Sequence, residues 1–149
     1  MFKKFGGEKI EDASLYVREY LAKHPNVTVF VGTDSVQLRS STMYATALCF
    51  WHNGQGVHVV FERNRLPKTK DLFTRLWNET EMSLKLANEL KEKCGVDSVV
   101  DLDINPNEKY KSNVAHDAAV GMIKGYGFEV RTKPNAWAAS VAADLLCKG

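Results

Sequence analysis

Asp34 ends the run Val27-Thr-Val-Phe-Val-Gly-Thr-Asp34-Ser35, and a carboxylate at the end of an apolar strand is costly unless something faces it. Other acids stand in similar places. Asp101 and Asp103 close a second apolar run, Ser98-Val-Val-Asp101-Leu-Asp103-Ile104. Asp144 falls on one helical stripe with Trp137 and Val141, at i, i+4 and i+7. Glu79 lies one turn before Ser83 and borders the apolar side of a long helix, whereas Glu81 points farther away by helical angle. Taken singly, each acid reads as a surface cap or an ion-pair partner. Together they read as a cluster, and clustered carboxylates repel and raise one another's pKa unless a cation joins them. An oxygen-only ligand set without a Cys or His cluster suits a hard ion, Mg2+ or Mn2+. Two such ions about 4 Å apart activate water and stabilise the leaving oxygen of a phosphodiester.

The elements that must hold these acids are legible in the hydrophobic pattern. Residues 9–23 have apolar positions at helical spacing, and Pro25 ends that helix. Val27, Val29 and Val31 alternate with Thr28 and Phe30, as in a strand covered on both faces. Residues 42–52 and 57–62 alternate too, with Asn53-Gly54-Gln55-Gly56 between them as a hairpin signal, so three antiparallel strands are expected in sequence. A helix over about 70–92 leads to the strand at 98–104, and a helical crossover of that kind makes the strands it joins parallel. A helix over 113–124 with Ser112 as its N-cap, a fifth strand over 128–132 and a last helix capped by Asn135 complete the order. Ligands of open α/β sheets bind beyond the carboxyl ends of the strands, where Asp34 and the Asp101–Asp103 pair would meet.

Composition narrows the function classes. The 149 residues suit one domain, 1–149, with 1–26 as an N-terminal helical extension. The net charge of +2 gives no global basic field, so a nucleic acid would need a local patch. Two basic groups qualify: Arg63, Arg65, Lys68, Lys70 and Arg75 on one side, and Lys109, Lys111, Arg131 and Lys133 near the acids. Cys49, Cys94 and Cys147 are far apart and lack a Cys-x-x-Cys, which argues for free thiols rather than zinc or disulfides. No run has signal-peptide or membrane-spanning character, so a cytoplasmic protein without a membrane partner is expected. His116 beside Asp117 reads as a solvated pair, and no Gly-x-Ser-x-Gly or Gly-Lys-Ser/Thr motif accompanies it. Trp51 and Trp77 read as core residues.

The combined order resembles the ribonuclease H-like fold, and more closely the YkuK-type ribonuclease H-like family. Val-Gly-Thr-Asp34-Ser resembles that family's first-strand aspartate, and Leu76-Trp-Asn-Glu79-Thr-Glu-Met-Ser83 its glutamate-bearing helix. Asp101-Leu-Asp103-Ile-Asn105-Pro with Lys111-Ser112 resembles the fourth-strand segment, and Trp137-Ala-Ala-Ser140-Val-Ala-Ala-Asp144 the final helix. The resemblance implies a five-stranded mixed sheet, three antiparallel strands followed by two parallel ones, with helices on both faces. It implies Asp34, Glu79, Asp103 and Asp144 as catalytic metal ligands, with Asp101 and Glu81 as alternates to Asp103 and Glu79. Lys109, Lys111, Ser112, Arg131 and Lys133 would contact nucleic acid, whether RNA, RNA–DNA hybrid or branched DNA. The implied activity is Mg2+- or Mn2+-dependent phosphodiester hydrolysis. The competing reading is a catalytically silent module that binds nucleic acid or protein, and a phosphotransferase lacks its glycine-rich loop.

Overall fold

In the computed structural model, Val29 and Val31 face one side of the central strand and Phe30 the other, and all three are buried. The structure describes the chain apart from Glu108, Tyr110 and Gly149 and the side chains of Ala139, Ser140, Asp144 and Lys148. Its strands are β1 (Phe2–Lys4), β2 (Lys9–Ile10), β3 (Thr28–Gln37), β4 (Ser41–Trp51), β5 (Val57–Pro67), β6 (Val99–Asp101) and β7 (Glu129–Arg131). Its helices are α1 (Ala13–Lys23), α2 (Leu72–Cys94), α3 (His116–Gly125) and α4 (Asp144–Lys148). A 3-10 turn over Lys111–Ala115 precedes α3, and a π-helical segment over Ala138–Ala143 runs into α4.

The strands form one mixed sheet in the order β2-β1-β5-β4-β3-β6-β7. The five expected strands hold the expected places: β3, β4 and β5 are antiparallel, and β6 and β7 run parallel to β3. The sheet has seven strands rather than five, because a short hairpin, β1–β2, adds itself to the β5 edge through Lys3↔Phe61 and Lys4↔Val60. The N-terminal extension is therefore this hairpin followed by α1. Strands of three and two residues carry no readable alternation, and the pairing with β5 is what makes them strands.

Local chemistry explains the main boundaries. Asn53 and Gly54 have φ of 31° and 86°, the doubly positive pair that a tight β4–β5 hairpin requires. Asp71 caps α2 by accepting from the Thr74 N–H at 2.8 Å, and Gly95 closes it at φ 68°. The last helix begins later than expected and is not capped by Asn135. Asp101 caps it across the fold, accepting from the Trp137 and Ala138 N–H groups at 2.9 and 2.8 Å.

Helices cover both faces. α1, α2 and α3 bury Val31, Leu48, Phe50, Leu86, Leu90, Val100 and Ile123 on one face. The π segment and α4 bury Phe30, Ala45, Ala47, Cys49, Val59 and Phe61 on the other. Burial, with the Asp101 charge nearby, pushes the Cys49 thiol up to about 12, and the three cysteines form no disulfide with one another. Trp51, expected in the core, is 39% exposed at the end of β4. Among the described residues, no helix is long and apolar enough to cross a membrane.

Candidate functional site

β3 continues three residues past Asp34, so this acid lies within the strand rather than at its end. Its register with β6 stops at Gly32↔Asp101. From Thr33 onward β3 and the chain after β6 diverge, and the acids collect in that fork. Asp34 is buried at 7% exposure and accepts from the Ser35 N–H at 2.8 Å. Asp103, two residues beyond β6, enters the fork with its side chain 17% exposed.

Glu79 reaches the fork from the middle of α2, where it belongs to the buried stripe with Leu76, Ser83 and Leu86. Its helix is tied to β3 at two heights. Ser35 Oγ donates to Glu79 Oε2, and the Thr33 and Ser83 hydroxyls bond at 2.7 Å. Two residues along a strand span about 6.8 Å, and four along a helix about 6 Å. The two ties are therefore in step, and they fix the rotation and height of Glu79. The Thr46 hydroxyl on β4 extends the ladder to Thr33 at 3.1 Å. One ligand atom from each of Asp34, Glu79 and Asp103 lies within 4.8 Å of the others.

Burial raises the Glu79 pKa well above the usual carboxylate range, and the charges of Asp34 and Asp103 add to it. The Ser35 hydrogen bond and the Arg75 charge oppose the shift. The linkage follows from the sign. A raised folded-state pKa gives stability that is complete below the unfolded value, about 4.3, and is lost as pH rises through the folded value. In EDTA, Glu79→Gln should therefore raise the melting temperature at pH 7–8 and flatten its decline with pH. Thermal unfolding over pH 4.5–8 checks this, and an unchanged slope would contradict it.

The two alternates lie elsewhere. Glu81 is exposed on the outer side of α2. Asp101 is fully buried and held by Arg131, whose Nε and a terminal guanidinium nitrogen donate to it at 2.9 Å each, in addition to the two helix N–H groups. Arg131, expected at a nucleic-acid surface, instead anchors Asp101 and lies over the Phe30 ring at 4.3 Å. Lys133, expected to await a phosphate, pairs with Asp103 at 2.9 Å, and that hydrogen bond raises its pKa. Ser112 accepts from the Asn105 N–H at 2.9 Å and so shapes the loop after Asp103. Lys109 and Lys111 are exposed on that loop. His116 bonds the exposed Asp117 at 2.8 Å, and neither belongs to the three-acid group. The Asp144 side chain lies outside the described residues.

Sequence reasoning missed the positioning hydroxyls, Ser35, Thr33 and Ser83. A signal for them was present: Ser83 is a small polar residue one turn after Glu79 inside an apolar stripe, and Thr33 and Ser35 flank Asp34 at strand spacing.

A meander and two parallel strands, crossed by a glutamate-bearing helix, with acids gathered where β3 and β6 part, define the ribonuclease H-like class of fold. A family model described as ribonuclease H-like matches residues 11–148, and the chain belongs to that family, of the YkuK type. No curated protein matches the chain.

Proposed function

We propose that the protein is a divalent-metal-dependent nuclease that hydrolyses phosphodiester bonds in nucleic acid. The observation that carries this reading is the meeting of Asp34, Glu79 and Asp103 within 4.8 Å, from three separate elements, where the β3–β6 pairing ends. The donor set fits a hard cation: it is carboxylate oxygen throughout, and a cation there would offset the burial, and the charges of Asp34 and Asp103, that raise the Glu79 pKa. Asp34, Glu79 and Asp103 would hold Mg2+ or Mn2+, with Asp144 of α4 as a fourth ligand. Bound there, the metal would supply Lewis-acid stabilisation of phosphoryl oxygens and an activated water.

The chain's own residues have distinct parts in this reading. Ser35 holds one Glu79 oxygen by donating to it and so fixes the carboxylate. Lys133 balances Asp103 and would pass to a substrate phosphate once a cation replaces it there. Lys109 and Lys111, exposed on the chain that follows Asp103, would meet the phosphate backbone, with Ser112 holding the Asn105 N–H between them and Asp103. The test is cleavage of labelled single-stranded RNA, RNA–DNA hybrid and branched DNA with Mg2+ or Mn2+. Metal-dependent cleavage that EDTA abolishes is expected. No cleavage of any of these substrates by the folded protein would overturn the assignment in favour of a silent binding module.

A further inference from the structure

The β1–β2 hairpin lies outside the five strands that build the acid centre, and two of its residues, Lys3 and Lys9, fall on the sheet face that carries Asp34. Residues opposite one another in a register project to the same face. One cross-strand row reads Lys9–Lys3–Phe61–Ala47–Gly32. The next reads Arg63–Ala45–Asp34, and the one beyond it Arg65–Met43–Val36. Ala45 and Ala47 lie beneath the last helical segment. Outside that cover the same face presents Lys3, Lys9, Arg63 and Arg65. Arg63, Arg65 and Lys9 are exposed and Lys3 half-buried. Lys3, Lys9, Phe61 and Arg63 line one cavity of about 360 Å³.

The nearby acids are turned elsewhere. Glu62 alternates to the opposite face and bonds the Met1 amine, and Glu8 pairs with Lys4. An aromatic ring completes the strip. Phe5 is 64% exposed and packs on Phe61 with ring centroids 5.9 Å apart, and the Arg63 guanidinium lies over Phe61 at 5.2 Å.

We infer that this strip is a docking track for a single-stranded segment of nucleic acid, with Lys3, Lys9, Arg63 and Arg65 on its phosphates and Phe5 stacked against a base. Cations beside an exposed aromatic ring are the combination that binds unpaired strands, because every unpaired base offers a face to stack. A duplex keeps those faces covered and leaves a 64%-exposed phenylalanine without a partner. Arg63 and Arg65 are about 7 Å apart along β5, and Arg63 is two strands, about 10 Å, from Asp34 at the backbone. The inference rests on the nuclease reading and extends it to the chemical form of the substrate.

Anisotropy of labelled single-stranded and duplex oligonucleotides in EDTA, across a salt series, tests it without cleavage. Arg63→Ala with Arg65→Ala should weaken single-strand binding and reduce the salt slope by about 0.7 for each cation removed. Phe5→Ala should lose roughly 5- to 100-fold in affinity for single strands and little for duplex. Lys91→Ala with Lys93→Ala, on the far end of α2, should change neither. The altered side chains are exposed, so all variants should melt near wild type. Unchanged affinity and slope in the arginine variant would overturn the track. Duplex binding tighter than single-strand binding, with Phe5→Ala silent, would overturn its single-strand character. Intact metal-dependent cleavage with unaltered binding in these variants would refute the track alone. Binding lost in the variants, with no cleavage by wild type, would refute the nuclease reading alone.

Discussion

Asp101→Ala is expected to cost about 3–5 kcal/mol of stability, as breaking a buried ion pair from one side does. The carboxylate is fully buried and accepts four hydrogen bonds, two from Arg131 and two from backbone N–H groups at the start of the last helical segment. Its removal strands the Arg131 guanidinium in a half-buried place and uncaps that segment at once. Denaturant unfolding reads the loss directly. Asp101→Asn should fall between, since an amide keeps an acceptor for the helix but loses the charge that Arg131 needs. A variant of Asp101 with wild-type stability and no metal affinity would mean that the acid belongs to the fork after all.

Asp34→Asn should do the opposite: leave the fold standing and remove the chemistry. Asparagine is isosteric and keeps an oxygen for the Ser35 N–H. It also removes a charge that raises the Glu79 pKa, so the melting temperature in EDTA should hold or rise. Groups that only hydrogen-bond a metal ligand are worth about 10- to 100-fold. A ligand itself should therefore cost at least about 100-fold in cleavage rate, and calorimetric titration with Mn2+ should show the matching loss of affinity. Undiminished cleavage by Asp34→Asn would remove this residue from the centre.

The contrast between these two aspartates shows where sequence reading succeeds and stops. Asp34 was legible because the valines around it mark a buried strand, where an acid has to be explained. Helical angle favoured Glu79 over Glu81 but left Glu81 as an alternate, and the structure buries the first and exposes the second. Asp101 and Asp103 were not separable, since residues two apart on a strand share a face. What divides them is the register of β7, which sets Arg131 beside Asp101, together with the loop that carries Lys133 to Asp103. Neither follows from local pattern. The β1–β2 hairpin was hidden for a related reason. Its strands are too short to show a period, and only the exposed edge of β5 gives them a partner. The cap of the last helix was hidden as well, because Asp101 comes from a strand 36 residues away in sequence rather than from the preceding turn.

The ladder of hydroxyls between β3 and α2 bears on when the centre comes into being. The β3–β4–β5 meander pairs neighbours in sequence, and local pairings of that kind close early. The acid fork needs more: α2 must cross over the sheet, β6 must dock in parallel against β3, and Thr33 must find Ser83 across 50 residues of chain. Contacts so distant in sequence close slowly, because loop entropy is spent before they form. The three carboxylates converge only where those long-range pairings have formed. The three-acid group is a property of the finished fold, so a nascent chain carries the acids without bringing them together.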